Sequence, residues 1–283
     1  AAAGPWNRLT VTFGALLGIM TLALGWSLLQ PDPPAPVVRF SSPFEEGQGP
    51  IEEGWIQFTT DGSSLVYVGP SASDQSSQLW IRRWDNLDAT PIRGTEGART
   101  FALSPDGREV AFSVLPPTGP LRVVALDGGP GRTLAESVLT VWDWTPDGDV
   151  YFTSAPPTLV LGRVPATGGG SEAVEIVTER REGEEAHEFL SVLPGGKMGV
   201  FEVSHALGGE DPEIWAIDLE TRERRFLVAG TSPSYASTGH LLFGTPDGAL
   251  MAAPIDPSTA ELAGPSVPVA EGLADFGGAV TYS

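Results

Sequence analysis

Phe101-Ala102-Leu103-Ser104-Pro105-Asp106-Gly107 decides the fold, because it is a β-rich run ending in a tight turn, with Val110-Ala111-Phe112 directly after it. Aspartate-glycine between such runs signals a hairpin: glycine tolerates positive φ and aspartate bonds its own backbone. Variants of the signature recur as Thr60-Asp61-Gly62, Thr145-Pro146-Asp147-Gly148, Leu193-Pro194-Gly195-Gly196 and Ser237-Thr238-Gly239. Measured at the residue before each final glycine, successive turns are 45, 41, 48 and 43 residues apart. A period in the forties is that of a four-stranded propeller blade.

The flanks agree. Trp55-Ile56-Gln57-Phe58 and Val141-Trp142-Asp143-Trp144 precede their turns, and Leu65-Val66-Tyr67-Val68 and Val150-Tyr151-Phe152 follow them. A second hairpin closes each unit. Leu79-Trp80-Ile81 leads to Pro91-Ile92 around Asp85-Asn86, and Leu121 to Val124 leads to Arg132-Thr133-Leu134 around Asp127-Gly128-Gly129. Ile214 to Ile217 leads to Arg225-Phe226-Leu227, and Leu250-Met251-Ala252 to Val267-Pro268-Val269. The fold class is therefore all-β, a six-bladed β-propeller preceded by one transmembrane α-helix. Five units are complete. The sixth blade is expected to be shared between Val37-Val38-Arg39-Phe40 and Ala279-Val280-Thr281-Tyr282, which closes the ring and protects its edges. With its last strand stopping at Ser283, that blade is either incomplete or truncated.

From Leu9 to Leu29 the chain runs twenty-one residues without a charge, just enough helix to cross a hydrocarbon core of roughly 30 Å. Trp6 and Trp26 near its ends suit the membrane interface, and Arg8 is the nearest N-terminal charge. The C-terminal flank offers only Asp32 before Arg39, so the positive-inside rule puts the N-terminus in the cytoplasm and the propeller in the periplasm. The run is longer than the apolar part of a typical signal peptide and has no convincing small-residue cleavage site, which favours a retained anchor. Gly14 and Gly18 form a small-xxx-small pair, and Gly25 lies two turns further along nearly the same face, leaving a groove where another helix can pack. The expected organisation is a cytoplasmic stub over 1–8, the spanning helix over 9–29, a proline-rich linker over 30–36 and the propeller over 37–283. The expected location is the bacterial inner membrane, single-pass, with membrane lipid contacted through that one helix.

Composition narrows the partners. A formal charge of -20, from 36 acidic and 16 basic residues, repels phosphate backbones, so nucleic acid is not an expected partner. Zero cysteines exclude disulfides, thiolate metal sites and cysteine nucleophiles. The 35 glycines and 26 prolines fall in regular turns within a chain that is 41% hydrophobic, which argues for an ordered domain of about 245 residues and against disorder.

With the units laid out, the chain resembles the extracytoplasmic propeller of certain bacterial transmembrane serine/threonine kinases, a branch of the TolB-like, WD-repeat-like propellers. The resemblance rests on Phe101 to Gly107, on Ala89-Thr90-Pro91-Ile92-Arg93-Gly94-Thr95-Glu96-Gly97-Ala98, on His187 with Val192-Leu193-Pro194-Gly195-Gly196-Lys197, and on Ile255-Asp256-Pro257. It implies a fold and an orientation. Kinase activity does not carry over, since no Gly-rich nucleotide loop, catalytic aspartate motif or Asp-Phe-Gly is present.

Candidate chemistry is sparse. No Gly-x-Ser-x-Gly elbow occurs. His187 stands among Glu184, Glu185 and Glu188, but without His-Glu-x-x-His spacing it reads as a structural histidine. Asp61, Asp106, Asp147 and Asp247 each precede a turn glycine and read as turn formers, not calcium ligands. Trp80 and Trp215 hold equivalent strand positions and are expected between blades, with Trp55 and Trp84 nearer an edge. No catalytic residue, cofactor or metal is assigned, and the chain is not expected to be an enzyme. The expected function is a membrane-anchored accessory subunit that binds integral membrane proteins and their extracytoplasmic faces, with a bacterial photosynthetic reaction-centre and light-harvesting complex as the specific candidate. The alternative is the ligand-sensing domain of a transmembrane serine/threonine kinase-type receptor.

Overall fold

A computed structural model describes residues 12–14, 16–21, 44–45, 47–51, 55–71, 76–86, 88–114, 118–168, 173–177, 180–205, 212–271, 275–276 and 279–280. The chain divides into two units, Ala1–Pro43 and Phe44–Ser283. In the first, residues 12–14 and 16–21 are helical. Phe13, Leu16, Leu17, Ile19 and Met20 are all more than half exposed and share one broad face of the helix. No helix among the described residues is long and apolar enough to cross a membrane. Most of the expected span Leu9 to Leu29 lies outside the described residues, as do Trp6, Arg8, Gly25, Trp26 and the linker over 30–36.

The second unit is built of antiparallel four-stranded blades. Blade 1 runs β1 (Ile56–Phe58), β2 (Ser64–Pro70), β3 (Ser77–Arg83) and β4 (Thr90–Pro91), in that spatial order. Blades 2 and 3 form one seven-stranded sheet: β5 (Ala98–Leu103), β6 (Glu109–Val114), β7 (Gly119–Ala125), β8 (Arg132–Trp144), β9 (Asp149–Ser154), β10 (Leu161–Pro165) and β11 (Val174–Glu175). The thirteen residues of β8 serve twice, pairing with β7 as the outer strand of blade 2 and with β9 as the inner strand of blade 3. Blade 4 is β12 (Ala186–Val192), β13 (Met198–Ser204), β14 (Glu213–Asp218) and β15 (Arg224–Ala229). Blade 5 is β16 (Thr231–Ala236), β17 (His240–Gly244), β18 (Leu250–Asp256) and, beyond a short β19 (Glu261–Leu262), β20 (Val267–Ala270) paired with β18.

Five blades are thus complete among the described residues, as the turn spacing requires. A last pair, β21 (Asp275–Phe276) with β22 (Ala279–Val280), follows, and β22 lies against β16 and β17. The other half of the expected sixth blade, Val37 to Phe40, lies outside the described residues.

Each turn is built as its residue types dictate. The Asp106 carboxylate accepts from the Ser104 hydroxyl and the Arg108 N–H, and Gly107 sits at φ +67°. Asp61 repeats this with Thr59 and Ser63, whose donors hold its pKa down to about 2. Alternation then sorts side chains between the two faces of each blade. Val66, Val68, Leu79 and Ile81 of blade 1 meet Phe101, Leu103, Val110 and Phe112 of blade 2 in one core. Val200, Ile214 and Ala216 of blade 4 meet Leu241, Phe243, Ala253 and Ile255 of blade 5 in another. Each of the largest fully buried side chains, such as Phe112 or Ile214, contributes about 1.5–3 kcal/mol by leaving water.

Candidate functional site

The inner strands carry a feature that the turn repeat does not announce. In blade 2 the Ser104 N–H bonds the Glu109 carbonyl, so the neighbouring Leu103 faces Val110 as a non-bonded pair and its N–H points away from β6. That N–H donates to Gln57 Oε1 of blade 1 at 3.3 Å. The same arrangement repeats round the domain. Val141 N–H donates to Thr100 Oγ1 at 2.9 Å, Val192 N–H to Asp143 Oδ2 at 3.0 Å, and Tyr235 N–H to Ser191 Oγ at 3.1 Å. The partners lie 46, 41, 49 and 44 residues apart, so one side chain per blade satisfies an inner-edge amide of the next. Burying such an amide unpaired would cost about 1–3 kcal/mol.

The inner strands also bulge. Register shifts fall between Ala98 and Phe101, Val138 and Thr140, Glu188 and Ser191, and Thr231 and Ser234. Phe189 and Ser232 sit in these bulges at φ +51° and +54°, conformations that only surrounding packing can hold for non-glycine residues. Bulges re-aim side chains, and here they bring distant residues together. The Trp142 ring lies 5.4 Å from Trp55 and 4.8 Å from Phe189, centroid to centroid, joining blades 1, 3 and 4. Trp142 Nε1–H donates to Thr153 Oγ1, which in turn donates to the His187 carbonyl. Trp55 is therefore central rather than at an edge. Trp84 is exposed as expected, Trp80 is buried, and Trp215 is half-buried beneath the Arg181 and Arg224 guanidinium groups.

Two carboxylates meet on the inner strands of blade 4. Glu188 of β12 faces Glu202 of β13 directly across the strand pair. Glu202 Oε2 accepts from Thr231 Oγ1 at 2.7 Å and from Ser232 N–H at 2.9 Å, both in blade 5. Burial pushes Glu202 up to about 7, against those two donors, and Glu188 adds to the rise. Burial raises Glu188 too, opposed by Arg99. Asp143 is raised by burial as well, against the Val192 and Trp144 N–H groups that it accepts from.

His187 is fully buried, as a structural histidine should be. Its Nε2 stands 3.2 Å from Glu184 and 3.1 Å from Arg224, and Arg224 bonds Glu184 at 3.0 Å. Burial holds the ring neutral, pushing its pKa down to about 4 despite Glu184. Burial would raise Glu184, but the Arg181 N–H, Arg224 and His187 outweigh it and the net shift is downward. Glu185 is exposed, and Glu188 belongs to the other face of β12. No group of three or more metal-ligating side chains occurs among the described residues. An open cleft of about 700 Å³ between the turns of blades 1 and 2 is lined by Asp61, Arg83, Asp106, Arg108 and Asp127, with Arg83 and Asp127 paired across it at 3.1 Å. Gly14 and Gly18 are helical, with open space where a Cβ would stand.

Sequence reasoning missed the aromatic group and the Glu188–Glu202 pair. Trp55, Trp142 and Phe189 stand six, five and six residues before the Asp61, Asp147 and Gly195 turn positions, so an aromatic recurring at that offset was the available signal.

No protein-family model matches the sequence, and no curated protein matches it in sequence. Solved structures do resemble it. TolB from Acinetobacter baumannii superposes with a TM-score of 0.57 at 14% identity, over 77% of this chain and 54% of that one. The putative TolB from Agrobacterium tumefaciens gives 0.52 at 15% identity, over 61% of this chain and 63% of that one. An oligogalacturonate lyase in complex with manganese gives 0.54 at 17% identity, over 76% of this chain and 64% of that one. The chain thus spans less than two thirds of each neighbour. The likeness to kinase ectodomains rests on sequence motifs alone. At such identities the neighbours speak for architecture only, and the architecture they share with this chain is that of a TolB-like β-propeller.

Proposed function

We propose that this chain is a non-catalytic accessory subunit, anchored in a bacterial inner membrane through its N-terminal helix, whose periplasmic propeller binds and stabilises a membrane protein complex. The observation that carries the reading is an apolar patch on blade 1. Ile56, Phe58 and Trp84 are 37%, 45% and 40% exposed, Ile56 and Phe58 share one face of β1, and the Phe58 and Trp84 rings lie 6.3 Å apart. Aromatic anchors beside open apolar surface are what protein interfaces are built on. Two further features support it. The helical residues 12–14 and 16–21 present Phe13, Leu16, Leu17, Ile19 and Met20 on one exposed face, a surface that suits a lipid or protein environment better than water. His187, the one fully buried histidine, is engaged with Glu184 and Arg224 rather than turned toward an opening.

Purification in mild detergent tests the proposal. The expected result is a stoichiometric membrane complex whose subunits mass spectrometry identifies, with photosynthetic reaction-centre and light-harvesting polypeptides the first to look for. Recovery of the chain alone, under conditions that keep neighbouring complexes intact, would overturn it.

A further inference from the structure

The Glu188–Glu202 pair is a half-built polar site. We infer that it receives a primary ammonium group, bonded by Glu188, Glu202 and Ser204. Three observations carry this. Glu188 is partly open to solvent, and no hydrogen-bond donor among the described residues reaches its carboxylate. Ser204 lies two residues beyond Glu202 on β13, hence on the same face; the residue is 7% exposed and its buried hydroxyl has no partner. Glu202 spends one oxygen on Thr231 and Ser232 and keeps the other. Three acceptors without donors match the three N–H bonds of an ammonium ion, whereas a metal would want a closed set of ligands that these residues do not form.

Phe189 follows Glu188 directly, and its bulged backbone turns it onto Trp142, 4.8 Å away. The charged group that acts on Glu188 from a neighbouring element is Arg99 of β5, which opposes a cation. Blade 5 contributes only the uncharged Thr231 and Ser232. The ammonium could be a free amine or a lysine side chain on a bound protein. That it belongs to a protein rests on the proposed function, whereas the amine site itself does not.

Calorimetric titration of the full chain in detergent separates these cases. One arm uses n-butylammonium, another a blocked Gly-Lys-Gly peptide, and a third the same peptide with its lysine acetylated. The first two should bind and the third should not. Affinity should rise about tenfold from pH 6 to pH 8 as the carboxyl pair loses its proton, and Glu202→Gln should flatten that rise. Glu188→Gln should weaken binding at least tenfold, and Arg99→Gln should strengthen it. Binding of the lysine peptide but not of butylammonium assigns the site to a protein ligand, and the reverse assigns it to a free amine. No binding by either amine, equal binding of the acetylated peptide, or unchanged affinity in both Glu188→Gln and Arg99→Gln would overturn the inference. Partner recovery in mild detergent is read separately, so loss of the amine site and loss of the accessory-subunit reading leave different records.

Discussion

Gln57, Thr100, Asp143 and Ser191 share little beyond a side-chain oxygen, yet each satisfies an inner-edge amide of the following blade. The position demands an acceptor at hydrogen-bond distance and tolerates any residue that supplies one, which is why no single residue type repeats there. Thr100→Val should therefore lower stability by about 1–3 kcal/mol, since it strips Val141 N–H and Ser113 Oγ of their partner at constant volume. Thr133→Val, on an exposed position of β8, should stay within about 0.5 kcal/mol. Urea midpoints at unchanged slope would show the contrast. Two buried groups give opposite pH trends. Glu202 rises on folding from 4.5 to about 7, so its contribution is fully present below 4.5 and is lost as pH climbs through 7. His187 falls from 6.5 to about 4, so its contribution is present above 6.5 and is lost as pH drops toward 4. Glu202→Gln should gain stability over the parent at pH 8 relative to pH 5, and His187→Gln should flatten the loss between pH 6.5 and 4, both read from denaturant midpoints across that range.

At the scale of elements, what was legible in the sequence was local. Asp106-Gly107 and its relatives specify their turns through their own side chains and positive φ, so the hairpins fall where the spacing puts them. The double duty of β8 was hidden, because no glycine or proline stands between Leu134 and Trp144 to mark where one blade ends and the next begins. The bulges at Phe189 and Ser232 were hidden for another reason: neither residue favours positive φ, and contacts between blades impose it. The contact of Phe189 with Trp142 goes with the Phe189 bulge and was hidden with it. Two glycines test this separation of local from imposed geometry. A Cβ on Gly107 meets nothing, so Gly107→Ala should cost only the left-handed backbone penalty of about 1–2 kcal/mol. On Gly119 it would stand 2.3 Å from the Val114 carbonyl oxygen, so Gly119→Ala must displace the β6–β7 pairing and should cost more than about 2 kcal/mol. Thermal denaturation of the two variants side by side would rank them.

At the scale of the whole domain, stability is distributed along a series of like interfaces, each joining segments some forty-odd residues apart in sequence. Such long-range contacts make folding slow but hold the inner strands to one another once formed. Phe58 shows where the series stops among the described residues: three residues before its turn, like Leu103, Val192 and Tyr235, it turns its N–H away from β2, with no side chain upon it. Its exposed ring is also the centre of the surface on which the proposed partner rests. Amide hydrogen exchange, resolved by residue, tests the arrangement most directly. Leu103, Val141, Val192 and Tyr235 should exchange only on global unfolding, while Phe58 exchanges orders of magnitude faster in the isolated chain. If those four amides exchange as quickly as Phe58, the blades are not joined through their inner edges and the account of this propeller is wrong.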